Sequence, residues 1–194
     1  MSFRSTILVI SCTLLSTQAF CQTTQNHLTP KHTLALYLGV GPNYYFNNLV
    51  IGKNRVNEFN YSFIGRFMWE PGHLLSVGVE SGYYRLYTLT TPQPTNARIA
   101  NSAVPIHIVV SMKFLKNFYF NFTMGQSMLI NKASSDTYGN ADAVTWSLAD
   151  FGSSVGFRHR FKSRISIGME TRYYYSTGND DSNIALVAMV GYNF

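Results

Sequence analysis

Charged side chains recur in this sequence inside segments that are otherwise apolar and aromatic. They alternate there with Phe, Ile and Val, so that every second residue is polar. Side chains of these types could conduct ions, exchange protons or neutralise one another, and in a narrow enclosed space mutual neutralisation is favoured. We therefore predict a buried charge network, not a conduction path. Its predicted members are Arg66, Glu80, His107, Lys113, Arg158, Glu170 and Arg172.

Metal and thiol chemistry find no support in the residue pattern. His107 lacks the spaced His, Asp or Glu partners of a metal site, and His159 falls on the apolar face of its segment. The two cysteines, Cys12 and Cys21, both lie within the first 21 residues. We predict no metal site, no cofactor and no cysteine nucleophile in the rest of the chain.

The composition excludes several classes of protein. The chain has 194 residues, of which 12% are charged, with 13 Tyr and 14 Phe. This is too apolar for a disordered chain and lacks the repeat of collagen. The formal charge of +6 is spread through aromatic segments, which does not fit nucleic-acid binding. We expect one domain with a large apolar surface.

The first residues have the pattern of an export signal. Arg4 supplies a positive charge, Ile7 to Leu15 form an apolar run, and Ala19-Phe20-Cys21 is a plausible cleavage site. We predict a signal peptide over residues 1–21 and a short periplasmic segment over residues 22–32. Lipidation of Cys21 stays open, although the large Phe20 before it is unfavourable.

After residue 32 the chain consists of segments in which apolar and polar residues alternate strictly, as in β-strands with one apolar face. No apolar run approaches the roughly 20 residues of a membrane helix. The predicted strands are Thr33 to Phe46, Glu58 to Trp69, Leu74 to Tyr87, Ala103 to Phe114, Phe118 to Ile130, Val144 to Phe161, Arg164 to Tyr175 and Asn183 to Phe194. The sixth strand loses its alternation near Ala149 to Phe151, which indicates a bulge.

The connections between these segments alternate between short and long. The short turns are Glu70-Pro71-Gly72-His73, Leu115-Lys116-Asn117 and Lys162-Ser163, and the long ones include loops at Thr88 to Ser102 and Asn131 to Ala143. Turns at one rim and loops at the other are typical of an up-and-down membrane barrel. We predict an all-β, closed, eight-stranded antiparallel transmembrane barrel over residues 33–194.

Polarity separates this barrel from a secreted lipocalin-like carrier, which could also have eight strands. A soluble carrier places apolar side chains inside and polar ones outside. In this chain charged residues alternate with aromatic ones, so the charged face must line the interior of the barrel. The aromatic face must then contact lipid. Phe120, Ile108 and Leu186 are expected to face acyl chains. The cationic run from Arg158 to Arg164 is expected at the short-turn rim.

The third and seventh predicted strands resemble each other. Ser76 to Ser81 and Ser166 to Thr171 have the same pattern, and a Tyr pair follows each. Duplication and convergence both remain open. Hairpin pairing predicts Arg66 opposite Gly78 and Arg158 opposite Gly168, with the ion pairs Arg66 to Glu80 and Arg158 to Glu170.

The sequence resembles the small outer-membrane barrels of Gram-negative bacteria, of the OmpA and OmpX type. The resemblance is carried by Gly39-Val40-Gly41-Pro42, Val104-Pro105-Ile106 and the terminal Ala188 to Phe194. It implies location in the outer membrane and contact with its lipids and lipopolysaccharide. It also implies that the barrel-assembly machinery recognises the last strand through Tyr192 and Phe194. We expect a monomer, and the sequence leaves oligomers open.

Some barrels of this architecture are lipid A deacylases, with a His, then Ser and Asn near the C-terminus. The corresponding stretch here, Tyr173 to Asn179, contains Ser176 but has Tyr in place of the His. Its serine therefore lacks an activating base. We predict a non-enzymatic barrel with a structural or surface-interaction role, and a lipid A hydrolase or a lipocalin-like carrier as alternatives.

Overall fold

Alternating segments pair as antiparallel strands throughout the described part of the chain. The computed structural model describes residues 33–46, 56–72, 74–91, 97–136, 139–178 and 181–194. The strands are β1 (Thr33–Phe46), β2 (Val56–Asn57), β3 (Phe59–Glu70), β4 (Leu75–Thr90), β5 (Arg98–Lys113), β6 (Phe118–Ser135), β7 (Gly139–Trp146), β8 (Asp150–Arg160), β9 (Ile165–Ser176) and β10 (Asp181–Asn193).

Eight of these strands close into a barrel. In order around the barrel they are β1, β3, β4, β5, β6, β8, β9 and β10, and β10 pairs with β1. Closure leaves no open sheet edge among these eight, which is what a strand-built membrane span requires. The short β2 pairs with β4 and β7 pairs with β6, both at the end that carries the longer connections. The predicted closed antiparallel barrel is confirmed.

The barrel wall is apolar outside and polar inside. On β5, Ile106 and Ile108 are 58% and 61% exposed, whereas His107 between them is 2% exposed. The outward Phe120 and Leu186 are exposed in the same way. The expectation of a lipocalin-like carrier is therefore wrong, because its apolar side chains would line the interior.

Exposed aromatic side chains gather near both rims. Along β3, Phe59 and Trp69 mark the two ends of the outward apolar face. At about 3.3 Å per residue they are roughly 33 Å apart, which suits a strand that crosses a lipid core at a tilt. The residues from 33 to 194 that the structure describes include no helix long and apolar enough to span a membrane.

The two rims differ as predicted, with an unexpected extension of the strands at one of them. The short-turn rim holds the connections that follow β3, β5 and β8. At the long-loop rim, β4 and β5 extend to Thr90 and Arg98, and β6 and β7 to Ser135 and Gly139. Much of both predicted loops is therefore paired strand. Their polar residues lack the apolar alternation by which the other strands were recognised.

Two bulges interrupt the pairing. β6 pairs with β7 up to Met128 and Trp146 and with β8 from Gly125 and Asp150, so that three residues face two at the break. This confirms the predicted irregularity near Ala149. A second bulge at Leu86 in β4 was not predicted.

Several predictions lie outside the described residues. These are the signal peptide, the segment over residues 22–32, both cysteines, His73, Asn179, and the parts of the two predicted loops at residues 92–96 and 137–138.

Candidate functional site

Four charged side chains form a closed ring at the centre of the lumen. Arg66 contacts Glu80 at 2.7 Å and Glu170 at 2.9 Å. Arg172 contacts Glu170 at 2.9 Å and also pairs with Glu80. Each carboxylate thus lies between two guanidinium groups, and all four side chains are at most 5% exposed. The ring carries no net charge, which limits the penalty of burying four ions.

Neutral side chains from β6 complete the shell around Glu170. The hydroxyl of Tyr119 donates to Glu170 at 2.9 Å. The amide of Asn121 donates to the same carboxylate at 3.1 Å and to the hydroxyl of Ser154 at 2.8 Å. Glu170 therefore accepts hydrogen bonds from two arginines, a tyrosine and an asparagine, as a buried carboxylate requires.

A second cluster lies at the short-turn rim around Glu70. This carboxylate accepts a 2.6 Å hydrogen bond from Tyr37 and contacts Lys113 at 3.3 Å. It also contacts Arg158 at 3.0 Å and Arg160 at 2.6 Å. Three cations surround one carboxylate, and their side chains are 14% to 41% exposed. The excess positive charge is therefore partly in contact with solvent.

The two clusters are linked through aromatic rings. The guanidinium of Arg158 lies 4.5 Å from the ring centre of Tyr37 and 5.2 Å from that of Tyr119. Tyr37 belongs to the Glu70 cluster and Tyr119 to the central ring. The half of the lumen nearer the short-turn rim thus contains one continuous polar network.

The predicted ion pair between Arg158 and Glu170 is wrong. Arg158 does lie opposite Gly168, as expected, but this position is closer to the short-turn rim than Glu170 is. Its side chain reaches Glu70 there, whereas Arg66 reaches Glu170 from the other wall of the lumen. A narrow barrel allows such contacts across the interior, and hairpin pairing alone does not reveal them.

The predicted register of Arg66 is wrong by two residues. Arg66 lies opposite Glu80, and Met68 lies opposite Gly78. A Cβ atom at Gly78 would collide with the side chain of Met68 and the carbonyl of Phe67. The glycine therefore makes room for Met68, and the arginine needs no glycine because its cross-strand neighbour is its ion-pair partner.

His107 is the cross-strand neighbour of Glu80, and its ring packs on the side of the central ring that faces the long-loop rim. Its ring stacks on Tyr174, with the ring centres 5.9 Å apart, and Tyr174 also stacks on Tyr84 at 5.2 Å. The Tyr174 hydroxyl hydrogen-bonds with Asp150 and Ser127, each at 2.8 Å. Within the described ranges, no group of three or more His, Cys, Asp or Glu side chains is placed to hold a metal ion.

The long-loop end of the lumen is closed by further polar contacts. Tyr45 donates to Asp181 and packs against Tyr87 with the rings tilted by 40° and their centres 5.0 Å apart. Ser176 is fully buried, and its hydroxyl lies 3.4 Å from that of Ser147. Ser147 in turn donates to Asp150. Polar and aromatic side chains therefore contact one another at the centre of the interior and near both rims.

Two important lumen residues were missed by the sequence analysis. Glu70 was placed in a turn although it continues the inward face of β3 after Arg66 and Met68. Tyr119 is not among the predicted members of the charge network, although it is opposite in parity to the outward Phe118 and Phe120. Strict period-two counting through the turn would have found both.

The last strand ends with two outward aromatic side chains. Tyr192 and Phe194 are 44% and 59% exposed, and their ring centres are 5.2 Å apart. The backbone N–H of Phe194 donates to the carbonyl of Leu34 at 2.9 Å, which ties the end of the chain to β1. Both rings therefore sit on the outer wall at the short-turn rim.

Solved structures show the same fold. The barrel is similar to Ail, the attachment invasion locus protein of Yersinia pestis, in its complex with the heparin analogue sucrose octasulfate, with a TM-score of 0.55 and 11% identity over 84% of this chain and 99% of that chain. A second structure of Ail gives a TM-score of 0.52, also at 11% identity, over 84% and 99% of the two chains. Neisserial surface protein A gives 0.48 at 14% identity, over 83% and 97%.

The sequence comparisons add no relative. No protein-family profile and no curated protein matches the chain. The similarity to Ail, at 11% identity, establishes the fold and nothing about ligands. The chain has the closed eight-stranded fold of small outer-membrane barrels, of the OmpA and OmpX type.

Proposed function

We propose that this protein is a monomeric outer-membrane barrel that conducts no ions and catalyses no reaction, and that its role is exerted at the long-loop rim. The observation that carries the proposal is the combination of a neutral ring of four charged side chains across the lumen and strands that extend well beyond the apolar wall. The first argues against transport and the second offers a surface to other molecules or to the neighbouring envelope.

The outer wall supports placement in a membrane. We expect Ile108→Arg, near the middle of the apolar face, to lower the free energy of unfolding by about 2 to 4 kcal/mol. The same change at Ala141, in the projecting β7, should have little effect. Purified protein that stays soluble without detergent and shows no heat-modifiable gel migration would contradict membrane placement.

The filled lumen supports a barrel without a pore. The four side chains of the central ring pair with one another across the lumen, and an eight-stranded barrel has little further space for water or ions. We expect no steady conductance from protein reconstituted in planar bilayers. Stable single-channel currents would contradict this proposal and indicate a transport function.

The projecting strands support a surface-interaction role. Every residue of β7 is exposed, including Val144 and Trp146, and the adjoining Leu148 is 85% exposed. Replacing residues 131–143 by a short turn should abolish surface binding and leave envelope integrity unchanged. If deleting the whole gene raises envelope stress and the shortened variant does not, the barrel itself has a structural role.

The lipid A hydrolase alternative is disfavoured by the position of its serine. Ser176 faces the lumen and is fully buried, so that a lipid in the surrounding membrane cannot reach its hydroxyl. We expect lipid A recovered from cells expressing Ser176→Ala to be identical to that from cells expressing the unaltered chain. An acyl chain removed only in the presence of Ser176 would establish the enzyme.

We further propose that Tyr192 and Phe194 are recognised during assembly by the barrel-assembly machinery, after export directed by residues 1–21. Their outward position on the closing strand makes both rings accessible from outside the barrel. Replacing Phe194 by Ser should lower the yield of folded barrel in cells. Refolding of the purified variant in detergent should be normal.

A further inference from the structure

Three neighbouring strands each carry a cation on the outer wall near the long-loop rim. On β4, β5 and β6, the outward face is uncharged from the short-turn rim up to the point where the long-loop rim begins. The first charged outward residues are Arg85, Arg98 and Lys132, respectively. The positive charge thus lies on the long-loop side of the surface that faces acyl chains.

Two grooves run between these cations. One has a volume of about 700 Å³ and the other about 600 Å³, and Arg98 lines both. Phe59 and Tyr61 line the first groove with Arg85, and Lys132 lines the second. The first groove therefore combines cationic side chains with aromatic side chains of the outer wall, and the second is lined mainly by polar and charged side chains.

The backbone that carries Arg85 is held in place from inside the barrel. The buried amide of Asn43 donates to the carbonyl of Arg85 at 3.1 Å, and Asn60 donates to the carbonyl of the bulged Leu86 at 3.1 Å. The bulge turns Thr88 to the outer face, where its hydroxyl accepts from Nε of Arg85 at 3.4 Å. Arg85 itself lines the first groove.

The outer cations differ from those of the lumen. Among the described residues no carboxylate lies within ion-pair distance of Arg85, Arg98 or Lys132. Asp142 lines the second groove and is the cross-strand neighbour of Lys132. One acidic residue facing three cations leaves a net positive surface in the grooves.

We propose that these two grooves bind a phosphate-bearing headgroup of an outer-leaflet lipid, with Arg85, Arg98 and Lys132 contacting the phosphates. A lipid is favoured over a soluble anion because the site opens on the outer wall, where the acyl chains of such a molecule lie along the apolar face below. The proposal rests on the proposed function in one respect, which is that the barrel lies in the outer membrane.

The test uses the full barrel in phosphatidylcholine vesicles with dansyl-labelled lipid A that carries both phosphates. Trp146 lies on β7, the strand that supplies Asn140 and Asp142 to the second groove, and Trp69 at the other rim is replaced by Phe, so that energy transfer reports binding near β7 alone. Competition with unlabelled lipid A gives the affinity. Heat-modifiable gel migration shows separately that each variant is folded and inserted.

Arg85→Gln with Arg98→Gln should weaken lipid A binding about 25-fold, at about fivefold for each cation removed. Lys116→Gln with Lys162→Gln removes the same charge at the short-turn rim and should leave binding unchanged. Lipid A without phosphates should compete poorly with the label in every variant.

Three results would overturn the proposal while leaving membrane placement intact. These are full binding by the groove variant, equal loss in both double variants, and displacement of the label by a soluble polysulfated sugar as effectively as by lipid A. The last result would assign the grooves to a soluble anion. A barrel that fails to insert would instead contradict the proposed function.

Discussion

The hairpins β3–β4 and β8–β9 have the same architecture and neutralise their glutamates differently. In each, the glutamate of the second strand faces a residue of the first, Arg66 opposite Glu80 and Gly156 opposite Glu170. The next inward pair toward the short-turn rim is Met68 with Gly78 in one hairpin and Arg158 with Gly168 in the other. The arginine has thus moved by one inward position between the two hairpins.

This displacement changes what each arginine does. Arg66 lies level with the glutamates and bridges both of them. Arg158 lies nearer the short-turn rim and pairs with Glu70. The space that an arginine would occupy opposite Glu170 belongs to Tyr119, whose ring would collide with a Cβ atom at Gly156. Position along the strand, and not hairpin partnership, decides which ions pair in this lumen.

The largest expected effect comes from removing Arg66. Arg66→Met leaves two buried carboxylates with one arginine between them, and should lower the free energy of unfolding by about 3 to 5 kcal/mol. Arg158→Met should cost about 1 to 2 kcal/mol, since Glu70 keeps Lys113 and Arg160 and the rim is partly solvated. Urea unfolding in lipid vesicles measures both. Equal losses would mean that the two hairpins are equivalent after all.

Double-mutant cycles should separate true partners from hairpin neighbours. Arg66→Met with Glu80→Gln should cost less than the sum of the single changes by about 1 to 3 kcal/mol, because the two side chains are in direct contact. The cycle of Arg158→Met with Glu170→Gln should be close to additive. Lys132 and Asp142 on the projecting strands provide an exposed control pair, with no measurable coupling expected.

A further substitution tests the space beside Glu170. Gly156→Ala should lower the free energy of unfolding by about 1 to 3 kcal/mol, because the new methyl group displaces Tyr119 from its hydrogen bond. Gly65→Ala is the matched control in β3, where a Cβ atom would meet only Leu38 and Ser81 at 3.7 and 3.9 Å. If Gly65→Ala lost as much stability as Gly156→Ala, the loss would come from replacing any strand glycine and not from the contact with Tyr119.

Most of the barrel was predictable from alternation alone. The first strand was predicted with its observed limits, Thr33 to Phe46, because inward and outward residues differ sharply in polarity there. The ends of β4 to β7 were not predicted, since beyond the membrane both faces of a strand meet water and the period-two signal disappears. The bulge at Leu86 carries no Gly or Pro to mark it.

The charge network was only partly predictable. Sequence assigned its members to one face, because parity along each strand is enough for that. The sequence could not assign their partners. A register error of two residues keeps every side chain on the correct face but gives it a different cross-strand partner. The contact of Arg66 with Glu170 also joins strands on different sides of the lumen, which no hairpin argument includes.

The seam between β1 and β10 sets the order of events in folding. It pairs Ala35 with Asn193 and Phe46 with Ser182, so that nearly the whole described chain lies between its two sides. Contacts of such high sequence separation form late and slowly, after local hairpins such as β8–β9. Until the seam forms, β1 and β10 each have an unpaired edge, and lipid offers no hydrogen-bond partners to its backbone N–H and C=O groups. A chain stalled at this stage should therefore join its edges to those of another copy, and the rate of seam closure limits how much protein escapes aggregation.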